Sequence, residues 1–106
     1  MSVEPTVQVT PDRYEVNATP YPNDYLNRHY FSVWVVYRGQ DRWSVNPEPN
    51  MRMCLNRDGE WDYEPAPTNH EEGWRERHRF EFVEALVLAK GVAIALWQQS
   101  ILRGGE

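Results

Sequence analysis

The sequence predicts a single α+β domain, in which an antiparallel sheet of four to five strands in hairpins packs on a long C-terminal helix preceded by a short helix. Three observations predict this class: polar and apolar residues alternate between 13 and 64, Gly- and Pro-containing turns separate the alternating segments, and residues 81–102 are strongly apolar over helical length. The length of 106 residues suits one domain. We expect residues 1–12 to form a mobile lead-in or an edge strand, residues 13–102 the domain, and residues 103–106 a tail.

Alternation and turn residues predict the first three strands. Residues 13–18 alternate polar and apolar side chains, as a half-buried strand does. Residues 30–37 carry bulky side chains on both faces, which predicts a central strand covered on both sides. A turn at 39–41 then leads to a return strand that includes Trp43 and Val45, and the prolines at 47 and 49 end it.

The next hairpin can be given a register from the sequence. Arg57-Asp58-Gly59 suits a three-residue loop with Gly in the left-handed conformation. Pairing Asn56 with Glu60 then matches apolar with apolar and basic with acidic residues across the strands, in the pairs Leu55–Trp61, Met53–Tyr63, Cys54–Asp62 and Arg52–Glu64. A shift by one residue would lose both matches, so we expect this register.

Two helices are predicted after the stiff segment 65–67. Thr68 with Glu71 three positions later resembles a capping box, which predicts a short helix over 70–77. His78-Arg79-Phe80 is expected to interrupt the helical segment, and the main helix then runs over 81–102.

The main helix is apolar around most of its circumference, interrupted only by Glu84, Lys90, Gln98 and Gln99. Such a helix is normally buried on all sides, but one small sheet covers only one face. We therefore expect a second copy of the chain to cover the remainder in a homodimer. The candidate interface consists of Val83, Val87, Gly91, Ile94, Trp97 and Ile101. The alternative is that the aromatic loops 20–28 and 68–80 cover this face.

The same helix is not expected to contact a membrane. Its apolar run over residues 85–97 spans about 13 residues and contains Lys90, whereas a crossing helix needs about 20. It also lacks the Lys- and Arg-rich face of a helix that lies on a membrane. Because the N-terminal residues have no basic-then-apolar pattern and Cys54 is the only cysteine, we expect no signal peptide and a cytoplasmic location.

The net charge of −5 disfavours general nucleic-acid binding, although a local surface at Arg75, Arg77 and Arg79 is an alternative. The tryptophans at 34, 43, 61 and 74 fit core packing better than a base-stacking platform, because no basic groove accompanies them.

No pattern in the chain indicates catalysis, a cofactor or a metal. Glu60, Asp62 and Glu64 alternate on one strand, where an exposed charged face is the simpler explanation. Cys54 lies within a strand and is expected to be a buried thiol rather than a nucleophile paired with one of the histidines at 29, 70 and 78. These four residues also lack the close spacing of a zinc site.

Three stretches resemble known proteins: residues 54–65, which read CLNRDGEWDYEP, then His78-Arg79-Phe80, and then Glu84-Ala85-Leu86. They resemble small uncharacterised proteins of actinobacteria and their phages, in which such a hairpin leads through a Pro-containing linker to an Arg-Phe pair and a helix. The resemblance covers about half of the chain and implies a phage or prophage setting but no activity. We therefore expect a non-enzymatic interaction protein that binds itself or a host or phage protein.

Overall fold

The computed structural model describes residues 3–18, 32–48, 52–65, 70 and 73–104, with side chains up to residue 99. These ranges contain five strands and two helices. The strands are β1 (Arg13–Asn17), β2 (Ser32–Tyr37), β3 (Trp43–Asn46), β4 (Met53–Leu55) and β5 (Trp61–Tyr63), and the helices are α1 (Trp74–His78) and α2 (Phe82–Gly104). The predicted α+β class is confirmed. Residues 3–12 are exposed and lie outside the strands.

The five strands form two antiparallel sheets, one of three strands in the order β1-β2-β3 and one of two strands, β4-β5. β2 is the central strand, as its two bulky faces predicted. The two sheets are separate because β3 and β4 are not joined by backbone hydrogen bonds of a strand ladder. They are joined by a side chain: Nδ2 of Asn46 donates to the backbone carbonyl of Met53 at 2.6 Å. The strands therefore cover two different parts of the core.

The register of the β4–β5 hairpin is the predicted one. Met53 pairs with Tyr63, Cys54 with Asp62, and Leu55 with Trp61. Gly59 has φ +84°, the left-handed conformation that favours glycine in this turn. The backbone N–H of Glu64 donates to the carbonyl of Arg52 at 2.8 Å, which continues the predicted register, but the carboxylate of Glu64 pairs with Arg79 and not with Arg52.

The two helices and the interruption between them follow the sequence pattern, with differences at their ends: α2 runs to Gly104, two residues beyond its predicted end and into the predicted tail, and α1 begins later than predicted. Arg79 is extended and ends α1, and Phe80 forms a bridge with Trp43, so the predicted break is confirmed. α1 begins at Trp74, four residues later than predicted, with Gly73 at φ +81° as its N-cap and no side-chain cap. The predicted capping residues, 68, 69, 71 and 72, lie outside the described residues.

The core lies between α2 and one face of the three-stranded sheet. The residues that α2 contributes at its centre are small and fully buried: Ala85, Ala89 and Ala93. They pack with the fully buried valines of β2 and β3 and with Phe80 and Leu55. Because alanine side chains are short, the helix approaches the sheet closely along this one face, and the face on the far side of the helix points away from the core.

Candidate functional site

The far side of α2 presents an exposed apolar stripe. Val83 is 71% exposed, Val87 is 64% exposed and Ile94 is 47% exposed. These three residues follow one another at spacings of four and seven, which places them on one face of a helix. The stripe, defined as Val83, Val87, Gly91 and Ile94, lies opposite the buried face formed by the alanines.

The structure places the six residues of the sequence-predicted interface as follows. The four residues of the stripe are exposed, and Trp97 is half-buried. The side chain of Ile101 lies outside the described residues. Gly91 leaves a hollow, because no atom lies within 4 Å of the position that a Cβ would occupy there. Of the two loops that were the alternative cover, only residues 70 and 73–80 are described, and they leave the stripe exposed.

The length and composition of α2 also bear on the membrane prediction. Residues 82–99 are long and apolar enough to cross a membrane, and 17% of that stretch is buried. The sequence analysis predicts a helix too short to cross, because it considers only the apolar run 85–97, which ends at the polar residues Glu84 and Gln98. On length and composition this prediction is wrong. A core helix of a soluble protein also passes this test when it is mostly buried, but α2 is fully buried only at Ala85, Ala89 and Ala93. The absence of membrane contact stays a prediction.

The predicted basic surface at Arg75, Arg77 and Arg79 is divided by the fold. Arg75 and Arg77 are exposed on α1. Arg79 is half-buried, forms an ion pair with Glu64, and lies 5.0 Å over the ring of Trp74. Arg79 therefore joins the β4–β5 hairpin to α1, so that only Arg75 and Arg77 remain as exposed cations of this group.

His78 occupies a buried polar cluster that the sequence did not predict. Its Nδ1 lies 2.7 Å from the carbonyl oxygen of Trp74, and its Nε2 lies 2.6 Å from a carboxylate oxygen of Asp62. Both ring nitrogens of His78 therefore lie within hydrogen-bond distance of an oxygen acceptor. The donors His78 and Asn56 lower the pKa of the Asp62 carboxyl.

The other candidates for chemistry have structural roles. Glu64 pairs with Arg79, and Asp62 with His78, so two of the three alternating carboxylates serve as ion-pair partners. The thiol of Cys54 is fully buried, and burial raises its pKa to about 11, with the Glu64 carboxylate acting in the same direction. A thiol with this pKa is a poor nucleophile near neutral pH. The described residues contain no group of three His, Cys, Asp or Glu side chains that could hold a metal ion.

A cavity of about 670 Å³ is the feature that sequence reasoning missed. Five arginines line it: Arg38, Arg42, Arg57, Arg75 and Arg79. They come from the β2–β3 turn, the β4–β5 loop, α1 and the residue that follows α1. The signal in the sequence was the placement of arginine beside successive turns, but nothing in the sequence shows that these turns meet.

Comparisons with protein-family models, with curated proteins and with solved structures found no match. The resemblance to small proteins of actinobacteria and their phages therefore stays a prediction, and the site is interpreted from its own geometry.

Proposed function

We propose that the protein is a non-enzymatic interaction module of the cytoplasm that self-associates through α2. The observation that carries the proposal is the exposed apolar stripe of α2. Isolated apolar residues are common on protein surfaces, but several exposed apolar residues grouped on one side of a helix typically mark a contact with another molecule. The resemblance to small actinobacterial and phage proteins supports a phage or prophage origin for such a module.

A second copy of the chain is the partner that the shape of the stripe favours. The stripe carries both projecting side chains, Val83, Val87 and Ile94, and the hollow at Gly91. A symmetric pair of helices can therefore place a projecting side chain of each copy in the hollow of the other. Lys90 is exposed on the same side of α2, three residues after Val87 and four before Ile94, so a dimer must let its long side chain extend to solvent at the edge of the contact.

The stripe is small for a protein interface, so we expect self-association to be weak. Val83 and Ile94 are separated by about 17 Å along the helix, at about 1.5 Å per residue. A stable interface usually buries about 800 Å² on each partner. We therefore expect a dimer with a dissociation constant in the micromolar range and not a permanent assembly.

Sedimentation velocity between about 1 and 200 µM tests this proposal. The wild-type protein should shift from monomer to dimer across this range, because each copy buries its stripe against the other. Val87→Lys should remain a monomer, because it places a charge within the stripe. The matched control is Val7→Lys, which makes the same change at a residue that is 89% exposed and far from α2 in the sequence.

Three outcomes would contradict self-association. A wild-type protein that stays monomeric at 200 µM would remove the second copy as the partner. Loss of dimerisation in Val7→Lys as well as in Val87→Lys would indicate a general charge effect. If the wild-type protein sediments with lipid vesicles and Val87→Lys does not, the stripe binds a membrane and not a second copy of the chain.

The alternative function is that of a nucleic-acid-associated regulator using Arg75, Arg77 and Arg79. Its support is weaker, because Arg79 is engaged with Glu64 and Trp74 and the chain carries a net charge of −5. A fluorescence-anisotropy titration with a DNA duplex distinguishes the two functions. Tight binding that weakens steeply with salt would favour the regulator.

A further inference from the structure

The cavity gathers positive charge in a protein that is acidic as a whole. Its five arginines are almost half of the eleven basic residues of the chain. Glu64 and Glu76 also line the cavity, and Glu84 and Glu81 pair with Arg57 and Arg42 from outside it, so that five arginines against four carboxylates leave a formal excess of one positive charge. Since the whole chain has a net charge of −5, this excess is a local arrangement and not a consequence of composition.

Three of the arginines are held in place by fixed contacts. Arg38 donates through Nε to the hydroxyl of the buried Ser44 at 2.8 Å, and Ser44 in turn donates to the side-chain oxygen of Asn46 at 2.6 Å. Arg57 donates to the backbone carbonyls of Glu76 at 2.6 Å and of Arg79 at 3.1 Å. Arg79 is held by its ion pair with Glu64. Guanidinium groups anchored in this way lose little further freedom when they bind a ligand.

Two of the arginines keep donors without a carboxylate partner. Arg75 makes no ion pair or hydrogen bond in the part of the chain that the structure describes. Arg38 uses only Nε, so that its two terminal nitrogens remain available within the same part of the chain. Burial lowers the pKa of Arg38, and the neighbouring Arg79 and Arg13 act in the same direction, although Glu64 and Cys54 oppose them. A bound anion would offset this unfavourable concentration of positive charge.

We propose that this cavity binds a small molecule that carries a di- or triphosphate group, with Arg38 and Arg75 as its principal donors. Planar guanidinium groups recognise phosphate oxygens through paired hydrogen bonds. Two guanidinium groups without a carboxylate partner can each bind one phosphate group of a di- or triphosphate, whereas a monocarboxylate offers a single charged group. The site is distinct from the stripe, because no residue of α2 lines the cavity.

The shape of the site favours a small ligand over a nucleic acid. A volume of about 670 Å³ lies within the usual range for small-molecule sites, about 300–1,000 Å³. A nucleic-acid backbone instead needs basic residues spread along a groove. The rings of Trp74 and Phe80 lie 5.0 Å from the guanidinium groups of Arg79 and Arg57, and both are buried, so neither gives an open face on which a base could stack.

Isothermal titration with inorganic triphosphate at about 0.1 M salt tests the proposal. We expect one site per chain with a dissociation constant below about 1 mM. Arg75→Gln should weaken binding about tenfold, the usual effect of losing one charge-assisted hydrogen bond. Because the side chain of Arg75 makes no hydrogen bond or ion pair within the described residues, this variant should fold normally, which circular dichroism checks.

Arg77→Gln is the matched control, because Arg77 lies on the same helix and is exposed but does not line the cavity. It should change the affinity less than about twofold, since only long-range charge is lost. Arg38→Gln provides a second variant within the cavity and should also weaken binding about tenfold.

Four results would overturn the proposal. Absence of measurable binding of triphosphate at millimolar concentration would show that the cavity holds no such ligand. Equal losses in Arg75→Gln and Arg77→Gln would indicate a surface charge effect. Sulfate binding as tightly as triphosphate would exclude the di- or triphosphate class. If a DNA duplex binds more tightly than triphosphate, and Arg75→Gln and Arg77→Gln weaken its binding equally, these arginines belong to a nucleic-acid surface and not to a small-molecule site.

Discussion

At the scale of single residues, the contact between His78 and Asp62 links pH to stability. The side chain of His78 is almost fully buried, whereas that of Asp62 remains 42% exposed. The imidazole also stacks on Trp74, with ring centroids 4.2 Å apart. The contact between the buried His78 of α1 and the partly exposed Asp62 of β5 therefore fixes the orientation of α1 relative to the β4–β5 hairpin.

The lowered pKa of Asp62 predicts a loss of stability in acid. A carboxyl whose pKa is lower in the folded than in the unfolded state stabilises the fold above the unfolded pKa, about 3.9, and this contribution disappears as pH falls through the folded pKa. Asp62→Asn should therefore be less stable than wild type at pH 6, and the difference should shrink as the pH falls below about 4. Urea unfolding at several pH values measures this difference.

Asp58→Asn is the control for this pH dependence. The carboxylate of Asp58 is exposed in the neighbouring loop and makes no ion pair within the described residues. Its stability difference from wild type should stay small at every pH. A difference for Asp62→Asn that does not change between pH 6 and pH 3 would show that the contact with His78 contributes nothing that depends on charge.

At the scale of elements, α2 has two unlike faces. The buried face is formed by Ala85, Ala89 and Ala93, and each of them is at most 1% exposed. The far face carries the exposed stripe. The close approach of helix and sheet therefore depends on small side chains at three positions, and the larger side chains beside them are only partly buried against the core: Phe82, Leu86, Leu88, Val92 and Leu96.

Ala89→Leu should destabilise the fold, because the added atoms have no space between α2 and the sheet. Overpacking of this kind typically lowers the free energy of unfolding by about 1–3 kcal/mol. Urea unfolding at low protein concentration measures the change. The matched control is Ala95→Leu, which adds the same atoms at an exposed position of the same helix and should change stability by less than about 0.5 kcal/mol. Equal effects at both positions would refute tight packing at Ala89.

The elements also show which parts of the fold are readable in the sequence. The hairpin register was predictable, because Gly59 fixes the turn and the pairs that follow lie within a few residues of it. The partner of Glu64 was not, since Arg79 reaches it from the junction between the helices. The arginine cavity depends on how two sheets and α1 come together, and no local pattern encodes that arrangement. The exposed face of α2 was readable because helical periodicity separates it from the alanine face.

At the scale of the whole molecule, Phe80 connects most parts of the fold. It is fully buried, its backbone exchanges two hydrogen bonds of 2.8 Å with Trp43 of β3, and it lies between α1 and α2. The guanidinium of Arg57, from the β4–β5 loop, lies 5.0 Å above its ring. Both sheets and both helices therefore meet at this residue.

Phe80→Ala should remove a large part of the total stability. Truncation of a buried Phe typically lowers the free energy of unfolding by about 3–5 kcal/mol, and a domain of this size has about 5–15 kcal/mol in total. Thermal unfolding followed by circular dichroism measures the loss. Tyr63→Ala, at a residue that is 64% exposed, is the control and should cost far less. A loss below about 1 kcal/mol for Phe80→Ala would contradict its central position.

The burial of Cys54 has a practical consequence for all of these variants. Its thiol is closed to reagents in the native fold, both by lack of access and by its raised pKa. It is also the only cysteine in the chain. A thiol-reactive dye would therefore label the protein only during transient opening of the hairpin region, and the labelling rate would report local opening without any engineered probe.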